Sequence, residues 1–310
     1  MKLISVLTAC YNEEENVGEV CRRVKEVFAG PLKGYSYEHV FIDNASTDQT
    51  VPRLKALAAR DRNVKIIVNS RNFGHIRSPF YGLLQCRGDA VISLVADLQD
   101  PPELIAELVR RWEAGAPIVA GIKRGSREAR WMFALRGLFY RLIGALSEIE
   151  QLRGFTGFGL YDKKVIEILR RIDDPYPYFR GLISEIGLPV ARLEYEQPAR
   201  RRGQTKNNFY TLYDMAMLGI TNHSKVPLRL ATMLGFLVAS ASALVALGYL
   251  VYKLVFWNSF SVGVAPLVIG LFFFASVQLF FIGIIGEYIG SIHTQVLKRP
   301  LVIEKERINF

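Results

Sequence analysis

The stretch Gly88 to Glu103, GDAVISLVADLQDPPE, decides how this chain is read. Ala90 to Val95 is an apolar, β-branched run of strand length, the pattern of a buried parallel strand. It ends at Ala96-Asp97. Gln99, Asp100 and Pro101-Pro102 follow, and a helical pattern begins near Glu103. Proline suits a first helical turn, and Glu103 suits the positive end of that helix. Asp97 is therefore expected at the carboxyl end of a central strand, the edge where open α/β sheets bind ligands. A carboxylate there, with the amide oxygen of Gln99 two residues on, offers hard donors to Mg²⁺ or Mn²⁺ gripping a diphosphate. A loop aspartate capping the following helix explains the same residue equally well.

The preceding chain repeats this layout. Leu3–Ala9, Tyr37–Ile42 and Val64–Val68 read as strands, and helical patterns cover about 17–28, 50–60 and 79–86, with Ser46-Thr47-Asp48 able to cap the second. Strands alternating with helices predict βαβ units, an α/β fold with a mostly parallel sheet. Polar clusters at Tyr11–Glu15, Asp43–Asp48, Arg71–His75 and Asp97–Asp100 all follow strand ends, so they should meet on one sheet edge. Each cluster alone reads as a solvated turn; four in the same phase do not.

Further strands are expected at Pro117–Gly121, Gly154–Tyr161 and Leu193–Tyr195, and a helix at Val165–Leu169. Lys123-Arg124-Gly125-Ser126-Arg127 and Arg200–Lys206 are cationic loops suited to phosphates or lipid headgroups. Arg130–Leu146 is basic on one side and aromatic-aliphatic on the other, as in a helix lying on a bilayer or in a core helix. Leu230–Tyr252 carries no charge, and neither does Val262–Ile285; each is long enough to span a bilayer. Lys225, Arg229, Lys298, Arg299, Lys305 and Arg307 flank this pair, and the positive-inside rule predicts a hairpin with both ends cytoplasmic.

The chain has 310 residues and a formal net charge of +10. That balance fits nucleic acid, anionic membrane or phosphorylated substrates, but no nucleic-acid-binding motif is present. Three cysteines without metal-type spacing point to reduced, buried thiols. MKLISVLTAC is too short an apolar run for a signal peptide.

Taken together, Tyr11-Asn12-Glu13-Glu14-Glu15-Asn16, Ile42-Asp43-Asn44-Ala45-Ser46-Thr47-Asp48, Ser70-Arg71-Asn72-Phe73-Gly74, Ala96–Glu103, Gly203-Gln204-Thr205-Lys206, Pro227–Ala231 and the closing apolar pair resemble the family 2 glycosyltransferases of GT-A fold. The similar branch is that of the polyisoprenyl-phosphate hexosyltransferases, such as dolichol-phosphate mannose synthase and undecaprenyl-phosphate glucosyltransferases. The resemblance implies a cytoplasmic catalytic domain over 1–206, a juxtamembrane amphipathic segment over 207–228, two membrane helices within 229–290 and a cytoplasmic tail over 291–310. It implies inverting hexose transfer from a nucleotide-diphosphate sugar, a UDP-sugar by preference, to a polyprenyl phosphate at the cytoplasmic membrane face. A divalent cation and a homo-oligomer, a tetramer in two-span relatives, are also implied.

Carried onto this sequence, Ala9, Tyr11, Glu13, Asp43, Ala96 and Asp97 would bind the nucleotide sugar. Asp97 and Gln99 would hold the metal. Asp97, Lys123, Arg124 and Arg200 would serve catalysis, and Arg124, Arg127, Arg200 and Lys206 would bind the acceptor phosphate. Three departures stand out: Val95 replaces the first Asp of the family's DxD, Asn44 a second acid after Asp43, and Gly157 an Asp common in relatives. They motivate altered donor specificity, weaker metal use, or the alternative of a catalytically weak or inactive nucleotide-sugar-binding membrane scaffold. A processive polysaccharide synthase would carry more spans and a Gln-x-x-Arg-Trp motif. A two-span chain without intramembrane charge supports a transporter poorly.

Overall fold

The computed structural model describes residues 1–124, 152, 154–198, 217–218, 221, 224–256 and 264–310. The Arg130–Leu146 stretch, the Arg200–Lys206 loop and most of 207–223 lie outside the described residues, as do Arg127, Arg200 and Lys206 individually.

Eight strands form one sheet. In chain order they are β1 (Leu3–Cys10), β2 (Ser36–Asp43), β3 (Val64–Asn69), β4 (Ala90–Val95), β5 (Ile118–Lys123), β6 (Phe155–Asp162), β7 (Val190–Tyr195) and β8 (Glu304–Ile308), and they lie side by side as β7-β5-β6-β4-β1-β2-β3-β8. β4, β1, β2 and β3 are mutually parallel. β6 runs antiparallel to both β4 and β5, so β5 and its parallel neighbour β7 regain the direction of β4. The expected mostly parallel α/β sheet is present.

Alternation along each strand divides the core between the two faces. Ile4, Val6, Ile92 and Leu94 pack on one face, against α1 (Val17–Ala29) and α4 (Ile105–Glu113). Leu7, Val40, Ile42 and Val91 pack on the other, with Phe80 and Leu83 of α3 (Gly74–Gln85), Val165 and Leu169 of α5 (Lys163–Arg171), and Ile183 of α6 (Phe179–Glu185). A third cluster seats Leu54 and Ala58 of α2 (Thr50–Arg60) against Phe41 and Ile66. Covering both faces is what lets the central strands be apolar throughout.

Several boundaries differ from expectation; β7, for one, begins at Val190, three residues before Leu193. α3 begins at Gly74, five residues before Pro79, because Asn72 Oδ1 accepts the Gly74 N–H at 2.8 Å and starts the helix early. The C-terminal tail forms β8, paired antiparallel with β3 (Ile66 opposite Ile308). Asn309 Nδ2 donates to the Ala58 and Val64 carbonyls, both at 2.9 Å, and so staples this strand down.

The two apolar stretches are helices, α7 (Val226–Val255) and α8 (Val264–Leu297). Among the described residues, Gly270–Leu297 is long and apolar enough to cross a membrane, and Val226–Ser242 is a shorter apolar stretch. α8 continues past the apolar run. Its far end meets the loop after α5, where Gln295 donates to Asp174 at 2.8 Å and Lys298 pairs with Asp173 at 3.1 Å.

Candidate active site

The register of the sheet brings the predicted clusters together. Cys10 stands opposite Asp43, and Ala9 opposite Ile42 and Val95, so the loops after β1, β2 and β4 leave the same edge. Adjacent strands are about 4.8 Å apart, which puts the ends of β4 and β2 about 10 Å apart. Ser93, Gly159 and Ala120 are aligned across β4, β6 and β5, so Lys123 ends β5 level with the tip of β4. Asp97, Asp43, Tyr11, Glu13 and Lys123 thus share one edge.

Three loops at this edge carry a non-glycine residue in the left-handed region: Asn12 (φ 55°), Ala45 (φ 62°) and Leu98 (φ 60°). Such residues cost about 1 kcal/mol or more each, so the surroundings must hold them. Leu98 packs against the core on its own face of the sheet. This turn lets Asp97 Oδ1 accept the Gln99 N–H at 3.1 Å, which orients the carboxylate and its neighbouring amide together.

The β1 and β2 loops are laced to each other. Asp43 is fully buried and accepts both the N–H and the hydroxyl of Ser46. Ser46 Oγ in turn accepts the Asn12 N–H at 2.8 Å, and Asn12 Oδ1 accepts the Thr47 N–H at 2.8 Å. The Glu13 N–H donates to Thr50 Oγ1 at 2.8 Å, and Asn16 Nδ2 to Glu13 Oε2 at 2.7 Å. Burial pushes the Asp43 carboxyl above its ordinary range, and the Ser46 hydrogen bonds oppose that rise. In this structure Asp43 shapes the loop that presents Tyr11 and Glu13. Ser46-Thr47-Asp48 does not supply the N-cap of α2, which is Gln49 without a side-chain cap, although Asp48 Oδ1 accepts the Thr50 N–H at 2.9 Å.

Two of the three departures have local physical reasons. Asn44 uses its amide in both senses: Oδ1 accepts from Phe73 N at 2.9 Å and Asn69 Nδ2 at 3.1 Å, while Nδ2 donates to Asn72 Oδ1 at 2.8 Å and the Gly74 carbonyl at 3.1 Å. A carboxylate could make the first two contacts but not the last two. Gly157 has φ +100°, a backbone that disfavours any L side chain, although a Cβ there would meet only Phe179 at ordinary distance. Val95 is 42% exposed at the tip of β4, so this position presents an isopropyl group to the edge.

Below this edge lies a cavity of about 190 Å³, lined by Ala9, Val95, Asp100, Gly157, Phe179 and Arg180 among others. Asp100 was not among the predicted site residues. It is buried, and Tyr195 at the end of β7 donates its hydroxyl to Asp100 Oδ1 at 2.5 Å. Burial raises this carboxyl to about 6, with Tyr195 opposing the rise, the Asp97 charge adding to it and Lys123 reducing it. The run Asp97–Asp100 flagged the segment, but nothing local in the sequence signals a partner 95 residues away.

Of the predicted cations, Lys123 closes β5 with its N–H on the Gly154 carbonyl at 3.0 Å. Arg124 Nε pairs with Glu194 at 2.5 Å, and both side chains are half exposed or more. A pair so open to water is worth about 0–1 kcal/mol, so Arg124 can exchange Glu194 for a phosphate at little cost.

Comparison with known proteins gives one consistent picture. Residues 5–169 match the model of Glycosyl transferase family 2. The SfII prophage-derived bactoprenol glucosyl transferase of Shigella flexneri is 35% identical over 98% of this chain and 97% of its own length. An uncharacterized glycosyltransferase of Synechocystis sp. is 34% identical over 97% of this chain and 94% of its own. A mycobacterial protein of known crystal structure, 21% identical, superposes with a TM-score of 0.51 over 71% of this chain and 73% of its own, a likeness of fold.

Proposed function

Because this chain belongs to glycosyl transferase family 2 and is a glycosyltransferase, we propose that it moves a hexose from a nucleotide-diphosphate sugar, preferentially a UDP-sugar, to a polyprenyl phosphate. The observation that carries this reading is the end-to-end match to a bactoprenol glucosyl transferase, which extends through the apolar C-terminal helix. The transfer takes place at the cytoplasmic membrane face, and the anomeric centre inverts. Residues 1–206 form the catalytic domain, with β8 added to its sheet; the α7–α8 pair is a two-span hairpin with both ends cytoplasmic.

The chemistry of the acceptor supports this reading. A phosphate monoester has its second pKa at about 6 and is largely a dianion at neutral pH. A nucleophile already ionised gains little from a general base, so Gly157 in place of an acid is compatible with catalysis. The site must instead hold two anionic groups together and neutralise the departing nucleoside diphosphate. Lys123 and Arg124 provide charge beside the β4 tip, and Arg127, Arg200 and Lys206 add phosphate-binding capacity. Tyr11 and Glu13, on the loop braced by Asp43, bind the nucleoside; Ala9 and Ala96 leave room beside them.

The donor set fits a divalent cation that arrives with its substrate. Among the described residues no three His, Cys, Asp or Glu side chains stand together as a metal cage. Mg²⁺ is commonly held by one or two carboxylates plus substrate phosphates, which Asp97 with Gln99 can satisfy. When bound there, Mg²⁺ or Mn²⁺ would act as a Lewis acid on the diphosphate.

The same sparse donor set, with Val95 at the tip, favours a second reading, a nucleotide-sugar-binding membrane scaffold. Incubating membranes that contain the full chain with polyprenyl phosphate and a panel of labelled nucleotide sugars separates the two. The proposal predicts one labelled polyprenyl-phosphate sugar. Donor binding with neither transfer nor hydrolysis in the presence of Mn²⁺ would establish the scaffold.

A further inference from the structure

Away from the β4 tip, three arginines converge where α8 meets the sheet domain. A cavity of about 410 Å³ is lined by Arg71, Phe73, Arg77, Thr294, Leu297 and Arg299, among others. Arg71 and Arg77 come from the β3–α3 loop and the start of α3. Arg299 is placed by the end of α8, where Lys298 takes a left-handed φ of 43° and turns the chain back toward β3. The Ser70 N–H then binds the Ile303 carbonyl at 2.9 Å and fixes the returning strand against the same loop.

None of these arginines has a carboxylate partner among the described residues. Arg71 lies 4.0 Å over the Phe73 ring and donates to the Asn72 carbonyl. Arg77 lies 5.2 Å over the Tyr176 ring, and its Nε is buried with no hydrogen-bond partner among the described residues. A buried guanidinium N–H without an acceptor is costly unless a ligand completes it. Lys298, next to the cavity, by contrast pairs with Asp173 at 3.1 Å.

Thr294 also borders a second groove of about 520 Å³, which runs along α8 past Tyr176, Gly283, Gly286 and Gly290. One carboxylate, Glu287, lies on that groove. The cationic cavity and the groove beside the membrane-length helix thus share Thr294, and the missing glycine side chains leave room for a chain.

We propose that this junction binds the headgroup of an anionic phospholipid at Arg71, Arg77 and Arg299, with an acyl chain in the Gly283–Gly290 groove. It rests on the membrane reading of α8 but not on the transfer reaction. Three guanidiniums without a carboxylate partner among the described residues match a phosphate diester, for which arginine is well suited. Their position at the foot of α8 is headgroup depth at the cytoplasmic face, where anionic lipids attract basic residues.

The test uses the full chain purified in a nonionic detergent, with bound lipid measured by native mass spectrometry. Phosphatidylglycerol or phosphatidylcholine is added. The wild type should retain one phosphatidylglycerol under conditions that strip phosphatidylcholine. Arg77→Gln combined with Arg299→Gln should reduce that retention by roughly tenfold. Arg299→Gln alone, at an exposed position, should reduce it in part and guards against misfolding of the double variant. Equal retention of the two lipids, or an unchanged preference in the Arg299→Gln chain, overturns the site. Displacement by inorganic phosphate at concentrations that leave bulk lipid bound overturns the lipid assignment, and so does retention of polyprenyl phosphate in preference to phosphatidylglycerol. Carbonate extraction asks separately whether the chain is integral: release into the soluble fraction would remove the membrane reading itself.

Discussion

Tyr195, the last residue of β7, donates its hydroxyl to Asp100 in the loop after β4 at 2.5 Å, and its ring meets Phe158 of β6 edge-on at 5.3 Å. One side chain thus ties the outer strand of the sheet to the loop that carries Asp97. The bond is made inside the core, where a carboxylate is penalised by burial and aided by the phenol.

This pair predicts a pH signature. Asp100 is raised to about 6 in the folded chain from its ordinary 3.8. The native state therefore holds the proton more tightly than the unfolded state, and stability falls as pH rises through roughly 4 to 6. Asp100→Asn, which keeps an acceptor for Tyr195, should remove that fall and gain up to about 3 kcal/mol on the wild type above pH 6. His39 works in the opposite sense. Burial lowers it to about 3, so it adds stability above its unfolded value that is lost as pH falls. Because His39 is common to both chains, the difference in denaturation midpoint across pH 4–8 isolates Asp100. A difference that stays flat would contradict the assignment.

Asn44→Asp tests the amide bridge between the β2 and β3 loops. The substitution removes both donors and sets a buried carboxylate against Asn72 Oδ1 and the Gly74 carbonyl. We expect a loss of about 2–4 kcal/mol at pH 7. The loss should shrink in mild acid, where the new carboxyl is protonated and can donate again. Thermal unfolding at two pH values reads both effects.

Gly157→Asp introduces an acid but forces φ +100° on an L side chain. Stability should fall by about 1–2 kcal/mol. The transfer rate should not rise, because the acceptor phosphate is already ionised. A rate increase would show that proton abstraction limits the reaction.

Much of the fold can be read from the sequence because the βαβ pattern is local. Ala90–Val95 ends with its strand, Leu3–Ala9, Tyr37–Ile42 and Val64–Val68 each stop one residue short of theirs, and the four polar clusters do share an edge. Three features have no local signature. EKERI at Glu304–Ile308 carries four charges and reads as tail; pairing with β3 and the Lys55–Glu306 bridge make it a strand. Asp100 is identified by a tyrosine far along the chain. Asn44 reads as a lost acid until its four hydrogen bonds show why an amide is needed. Arg127, Arg200 and Lys206 remain assignments by resemblance.

The central claim is that Asp97 at the tip of β4 serves the diphosphate during transfer to a lipid phosphate. Its most direct test is single-turnover transfer to polyprenyl phosphate by the purified full chain, comparing wild type with Asp97→Ala at saturating donor and Mn²⁺. The account predicts a rate lower by about 10²–10³-fold with an unchanged unfolding midpoint, the size expected when charge stabilisation of a leaving group is removed. A folded Asp97→Ala chain that transfers within twofold of the wild type would contradict it.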